Sequence, residues 1–218
     1  MTVNEILIEL KSLATEDHLR KMKGFGIDAD EAYGVKVPLI RGLAKLVGKN
    51  HELAMELRKS PVHEARLMAS MIADYKLLTE SDFDAWVSEF RSWDMCDGTC
   101  FLLGKTPFAR KKIDEYADNQ SEFVKRTAFV LMCHFAVHEK KLPDDFFYPF
   151  FEIIEKQAWD NRNFVKKAVN WALRQIGKRN ANLREIAIET AERIKLQDTP
   201  SARWIANDAL RELRKIDY

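Results

Sequence analysis

Apolar residues recur along this chain at three- and four-residue intervals, and no segment reads convincingly as a strand. Val124, Ala128, Leu131 and Phe135 form one helical stripe, and Val165, Val169, Ala172 and Ile176 form another. The periodicity predicts helices over 3–22, 37–48, 51–59, 63–75, 80–90, 92–103, 109–118, 122–139, 144–157, 162–178, 181–196 and 201–215. Thr79 and Ser201 stand as caps at two of the starts. Ser60-Pro61, Thr106-Pro107, Leu142-Pro143 and Thr199-Pro200 mark turns or helix starts. Residues 23–36, which hold Gly24, Gly26 and Gly34, read as the most loop-like stretch.

The helical pattern repeats. Asn170-Trp171-Ala172-Leu173-Arg174-Gln175-Ile176 is echoed 37 residues later by Asn207-Asp208-Ala209-Leu210-Arg211-Glu212-Leu213. Val165-Lys166-Lys167 echoes Val124-Lys125-Arg126, 41 residues earlier, and His63–Ala69 fits the same apolar register. Spacings near 40 suit stacked two-helix repeats. The expected fold is all-α: a HEAT-like helical-repeat solenoid, an α-α superhelix with a concave basic groove. With no low-complexity linker, residues 1–218 read as one repeat domain.

Composition narrows the function classes. Gly (8) and Pro (6) are scarce, which favours long helices over a turn-rich sheet. No apolar run approaches the roughly 18–20 residues that span a bilayer, and no signal-like segment opens the chain. No membrane partner is expected, and the location expected is cytoplasmic and nucleoid-associated. Three cysteines, Cys96, Cys100 and Cys133, are too few and too odd for a disulfide framework and read as reduced, buried thiols. They lack zinc-site spacing, and His134 and His138 lack the glutamate of a zinc-protease helix, so no metal is expected. Phosphate-loop, dinucleotide and serine-esterase signatures are absent from the sequence.

Net charge is only +1, but its distribution is uneven. From Asn161 to Arg184 there are seven basic side chains and no acid: Arg162, Lys166, Lys167, Arg174, Lys178, Arg179 and Arg184. Lys167, Trp171, Arg174 and Lys178 share a stripe opposite the apolar one, so Trp171 is expected among cations, away from the core. That pattern suits a nucleic-acid backbone with sugars or bases beside it. A solvated basic face with a tucked tryptophan is the plainer alternative. Arg126 lies opposite its own helix's core stripe and should line the same surface in stacked repeats.

Trp93 and Asp97, four apart, share a helical face. A carboxylate beside an aromatic ring can stabilise a growing positive charge, such as the sugar cation formed when an N-glycosidic bond breaks. The bland alternative makes Asp94 or Asp97 a helix-start acid and Trp93 a core residue.

Together with Gly34–Arg41, the segments Ser92–Asp97, Glu122–Arg126 and Asn163–Arg174 resemble, in order, the AlkD-type DNA alkylation-repair family. The resemblance runs over residues 25–215. It implies a HEAT-like DNA glycosylase, a monomer, acting without metal or organic cofactor on double-stranded DNA with alkylated bases. Its substrates would be cationic N3- and N7-alkylated purines. Asp97 then corresponds to the catalytic carboxylate. Trp93 and Trp171 correspond to the aromatic pair flanking the sugar, Arg126 to a DNA-contacting cleft arginine and Arg174 to a phosphate contact. Lys166, Lys167, Lys178 and Arg179 join them as DNA-binding candidates. The family's N-terminal aromatic has two counterparts, Phe25 and Tyr33. The alternatives are a non-catalytic nucleic-acid-binding module and a protein–protein adaptor.

Overall fold

A computed structural model of the chain describes residues 1–27 and 30–216. Thirteen α-helices and two short 3-10 turns are found among them, with no strand. The described chain divides into two compact units, Met1–Thr106 and Pro107–Tyr218.

The amino-terminal unit holds α1 (Val3–Ser12), α2 (Glu16–Gly24), α3 (Val37–Val47), α4 (His51–Leu57), α5 (His63–Ile72), α6 (Glu80–Ser88) and α7 (Trp93–Leu103). The helix expected over 3–22 is in fact two. Thr15 interrupts it: its side chain accepts the His18 N–H, and Glu16 and Asp17 follow in the first turn. A hydroxyl cap followed by acids is a start signal, and here it outweighs the continuing apolar period. Helix α5 is the centre of this unit, packed against α1, α3, α4 and α7. Of its ten residues only Arg66 and Met71 escape burial. A helix buried nearly all round has no polar face to show solvent, so its polar residues must find partners inside.

Glu64 is such a residue, with 0% exposure. Its carboxylate accepts the N–H groups of Tyr33 (2.9 Å), Gly34 (2.7 Å) and Val35 (3.0 Å). This pins the segment before α3. Gly34 has φ +87°, and a Cβ there would lie 2.5 Å from the Thr15 carbonyl oxygen. Only glycine meets both demands. The loop expected over 23–36 begins after α2 ends at Gly24; its residues 28 and 29 lie outside the described residues.

The carboxy-terminal unit holds α8 (Ala109–Tyr116), α9 (Glu122–His138), α10 (Tyr148–Gln157), α11 (Asn163–Gly177), α12 (Ala181–Lys195) and α13 (Pro200–Leu213). Helices α9, α11 and α13 pack in succession, while α8 packs on α9 and α12 on both α11 and α13. The helix expected over 144–157 opens instead as a 3-10 turn, with Pro149 in the first turn of α10. Val165, Val169, Ala172 and Ile176 are all fully buried, as the stripe on α11 requires. The repeat register is visible in the bonds between neighbouring pairs. Asn170 donates to Asp208 across 38 residues, Gln157 to Asp118 across 39, and the Ser201 N–H to Asn161 across 40.

Candidate nucleic-acid interface

Helix α7 turns its core face, with Met95, Cys96, Thr99, Cys100, Leu102 and Leu103, inward. Trp93, Asp94, Asp97 and Gly98 are half-buried, and Phe101 is 52% exposed. The two aspartates differ. Asp94 is locked: His63 Nε2 lies 2.8 Å from one oxygen and the Ser92 hydroxyl donates to the other at 2.6 Å. Burial alone would push the Asp94 carboxyl up, but the His63 and Ser92 hydrogen bonds outweigh it and hold it below the usual carboxylate range. Asp94 is therefore the helix-start acid. Asp97 lies one turn further, on the same outward stripe as Trp93 and Phe101.

The Trp93 indole donates to the Phe25 carbonyl at 3.1 Å. Phe25 itself is 68% exposed. Tyr33 is half-buried, with the Lys11 ammonium 4.7 Å from its ring centroid. Of the two N-terminal aromatics, Phe25 is the one bonded to Trp93.

In the carboxy-terminal unit the cations of α11 are much less available than their spacing suggests. Trp171 is half-buried and Lys167 is exposed on the outward face. Lys166 sits over the ring of Trp204, 5.5 Å from its centroid. Arg174 and Lys178 both grip Glu212 of α13, and Arg174 also faces Asp208 at 3.7 Å. Arg162 is bound to Asp160 and to the Gln120 carbonyl, and Arg184 donates to the Ile216 carbonyl.

Two expectations of exposure need correction. Rotation about α9 puts Arg126 opposite the core stripe, yet it is only 6% exposed, and its Nη1 donates to the Phe164 carbonyl at 2.6 Å. The next repeat's α11 covers the face that a lone helix would leave open. Arg179 donates to the carbonyls of Ala136 (2.8 Å) and Leu142 (3.0 Å) and lies 4.4 Å from the Phe147 ring centroid. It ties the end of α9 to the turn that follows, where helix carbonyls lack internal partners.

Trp204 escaped the sequence reading. It stands 37 residues after Lys167, in the same register as the Asn170/Asn207 echo, and is 39% exposed. The repeat itself was the signal that could have found it. Glu64 had no such signal, because its partners are backbone N–H groups about 30 residues away.

An all-helical chain of stacked pairs, with a half-exposed aspartate–aromatic stripe and a partly neutralised basic helix, defines a HEAT-like repeat protein. Residues 6–213 match the family described as DNA alkylation repair enzyme, and the chain belongs to that family. It is similar in fold to a solved member of a new family of proteins related to the HEAT-like repeat DNA glycosylases with affinity for branched DNA structures. That match has 21% identity and a TM-score of 0.81, and covers 97% of this chain and 95% of the other. It is also similar to smu.31 from Streptococcus mutans UA159, with 18% identity and a TM-score of 0.58, covering 95% of this chain and 100% of that one. No curated protein matches the chain. Among the described residues, no helix is long and apolar enough to cross a membrane.

Proposed function

We propose that the protein is a DNA glycosylase that hydrolyses the N-glycosidic bond of cationic N3- or N7-alkylated purines in duplex DNA. The observation that carries this reading is that Asp97 and Trp93 share a half-buried stripe on the outward side of α7. As the bond from C1′ to the purine nitrogen breaks, its electron pair leaves with the base, which becomes neutral. Positive charge develops on the sugar. The Asp97 carboxylate stabilises that charge, the Trp93 face excludes water around it, and a water adds to C1′ and passes its proton to Asp97. A cationic base is already a good leaving group, so no strong acid is needed to protonate it. In the carboxy-terminal unit, Trp171 on α11 is a further aromatic contact to the DNA. Lys166, Lys167, Arg174 and Lys178 contact the phosphate backbone; Arg126 and Arg179 support the surface from beneath.

A second reading rests on a specific observation. The fold resembles proteins with affinity for branched DNA, and Arg174 and Lys178 are already held by Glu212. A clamp that binds DNA without cleaving it would also suit this arrangement. Base release from a duplex with a single 7-methylguanine separates the two. The native chain should release the base, and Asp97→Asn should slow single-turnover release by about 100-fold or more, the usual loss when a transition-state charge partner is removed. Salt-dependent binding with no release by the native chain would make the clamp reading the right one.

A further inference from the structure

Beyond Asp97, the outward stripe of α7 runs into a cavity of about 420 Å³. Its lining includes Phe101 of α7, Tyr75 and Asp74, together with Lys49, Lys76 and Lys105. All of these residues belong to the amino-terminal unit. The Lys49 ammonium donates to the carbonyls of Ala73 at 2.7 Å and Met71 at 3.2 Å. An ammonium has three N–H groups, so one remains after these two bonds. Burial first, and then the neighbouring Lys105 charge, hold the Lys49 ammonium below the usual lysine range, with Asp74 acting the other way. Three cations therefore surround a space with one carboxylate. The repulsion between Lys49 and Lys105 would be relieved by an anion near them.

We propose that this cavity receives the phosphate backbone of a nucleic-acid strand, with Lys49, Lys76 and Lys105 on the phosphates and Phe101 against a sugar or base. The inference rests on α7 being the DNA-facing helix, as in the function proposed above, and adds a subsite to it. Phe101 stands one turn, about 6 Å, along α7 from Asp97. Asp74 disfavours an anion beside it, which favours phosphates beside the lysines.

The test compares the native chain with Lys76→Ala/Lys105→Ala. Neither side chain is placed in the reacting centre, and Lys140→Ala/Lys141→Ala, on the other unit, serves as the charge-matched control. Binding to a fluorescent duplex with a central abasic-site analogue is followed by anisotropy as salt is raised. The cavity variant should bind about five-fold or more weakly, and its slope of log affinity against log salt should shrink by roughly 1–2, as expected for losing one or two phosphate contacts. The control should keep the native slope. An unchanged slope in the cavity variant, with native binding intact, would overturn this inference and leave the glycosylase reading standing. Equal losses in cavity and control variants would also overturn it, since they would report only net charge. No duplex binding by the native chain even at low salt would overturn both.

Discussion

The amino-terminal unit joins its helix pairs through buried, short-range devices: Glu64 on the 33–35 backbone, and His63 on Asp94, each spanning about 30 residues. The carboxy-terminal unit joins its pairs through ion pairs and amides near 38–43 residues apart, among them Arg174–Glu212, Asn170–Asp208 and Arg179 on Ala136. The consequence for function is opposite in the two cases. In the first, His63 and Ser92 take up Asp94, while Asp97 lies half-buried on the outward stripe of α7. In the second, cations that look available from their own helix are partly spent on acids one repeat later. A charge run on one element of a repeat protein is not a surface charge until the next repeat has been accounted for.

The largest expected effect breaks the ionic side of this contrast. Asp160 is held at about 2: burial would raise its carboxyl, but hydrogen bonds from Arg162 and Lys125 outweigh that. The Lys125 and Asp160 side chains are 3.0 Å apart and both buried, and Lys125 also faces the Trp159 ring. Asp160→Ala would leave a buried ammonium without its counterion, at a cost of about 3–5 kcal/mol. Adding Lys125→Met should recover most of it. Denaturant unfolding checks both, and an Asp160→Ala loss under about 1 kcal/mol would mean that the pair does not hold this unit. The pH dependence has a definite sign. The folded pKa lies below the unfolded one, so the contribution is complete above the ordinary carboxylate range and is lost as pH falls through about 2.

The corresponding break in the amino-terminal unit is Glu64→Ala, which leaves three N–H groups of the 33–35 segment without their acceptor. We expect a loss of about 2–4 kcal/mol, less than three full desolvation penalties because water can enter the gap. Glu64→Gln should cost roughly half as much. Its remaining oxygen can still serve Gly34 and Val35, while its amide would face the Tyr33 N–H. Equal losses for the two variants would show that the two carboxylate oxygens do not divide the work in this way.

How much of this was legible beforehand differs by element. The buried stripe on α11 follows from that helix's own periodicity, and the near-40 echo anticipates the Asn170–Asp208 bond; on α9 the stripe is buried at Ala128, Leu131 and Phe135 but only half-buried at Val124. The break at Thr15 was also written locally, as a hydroxyl followed by two acids, but the apolar period masked it. Arg126 and Arg179 could not be read in this way. Whether such a side chain meets solvent or a carbonyl depends on the helix laid over it, and helical rotation about one axis carries no information about that. Asp94 and Asp97 illustrate the same limit. Both sit in the first turns of α7, and it is Asp94 that the Ser92 hydroxyl and His63, 31 residues earlier, take up.

The smallest expected effect on stability is the one that most sharpens the comparison. Glu212 is held by Arg174 and Lys178; burial would raise its carboxyl, but their hydrogen bonds outweigh burial and hold it below the usual range. The three side chains are each about a quarter to a third exposed, so the pairing contributes only about 0.5–1 kcal/mol. Glu212→Gln should therefore leave the unfolding free energy nearly unchanged. It removes the internal competitor for two cations on the stripe of Trp171. If α11 faces DNA, duplex affinity at low salt should rise about two- to five-fold, and the dependence of log affinity on log salt should steepen by roughly 1. The native protein would then be weaker on DNA than its sequence charge allows because α13 restrains α11. An unaltered affinity and slope in the Gln variant would place the duplex elsewhere, and the basic stretch from Asn161 to Arg184 would be a device for stacking repeats.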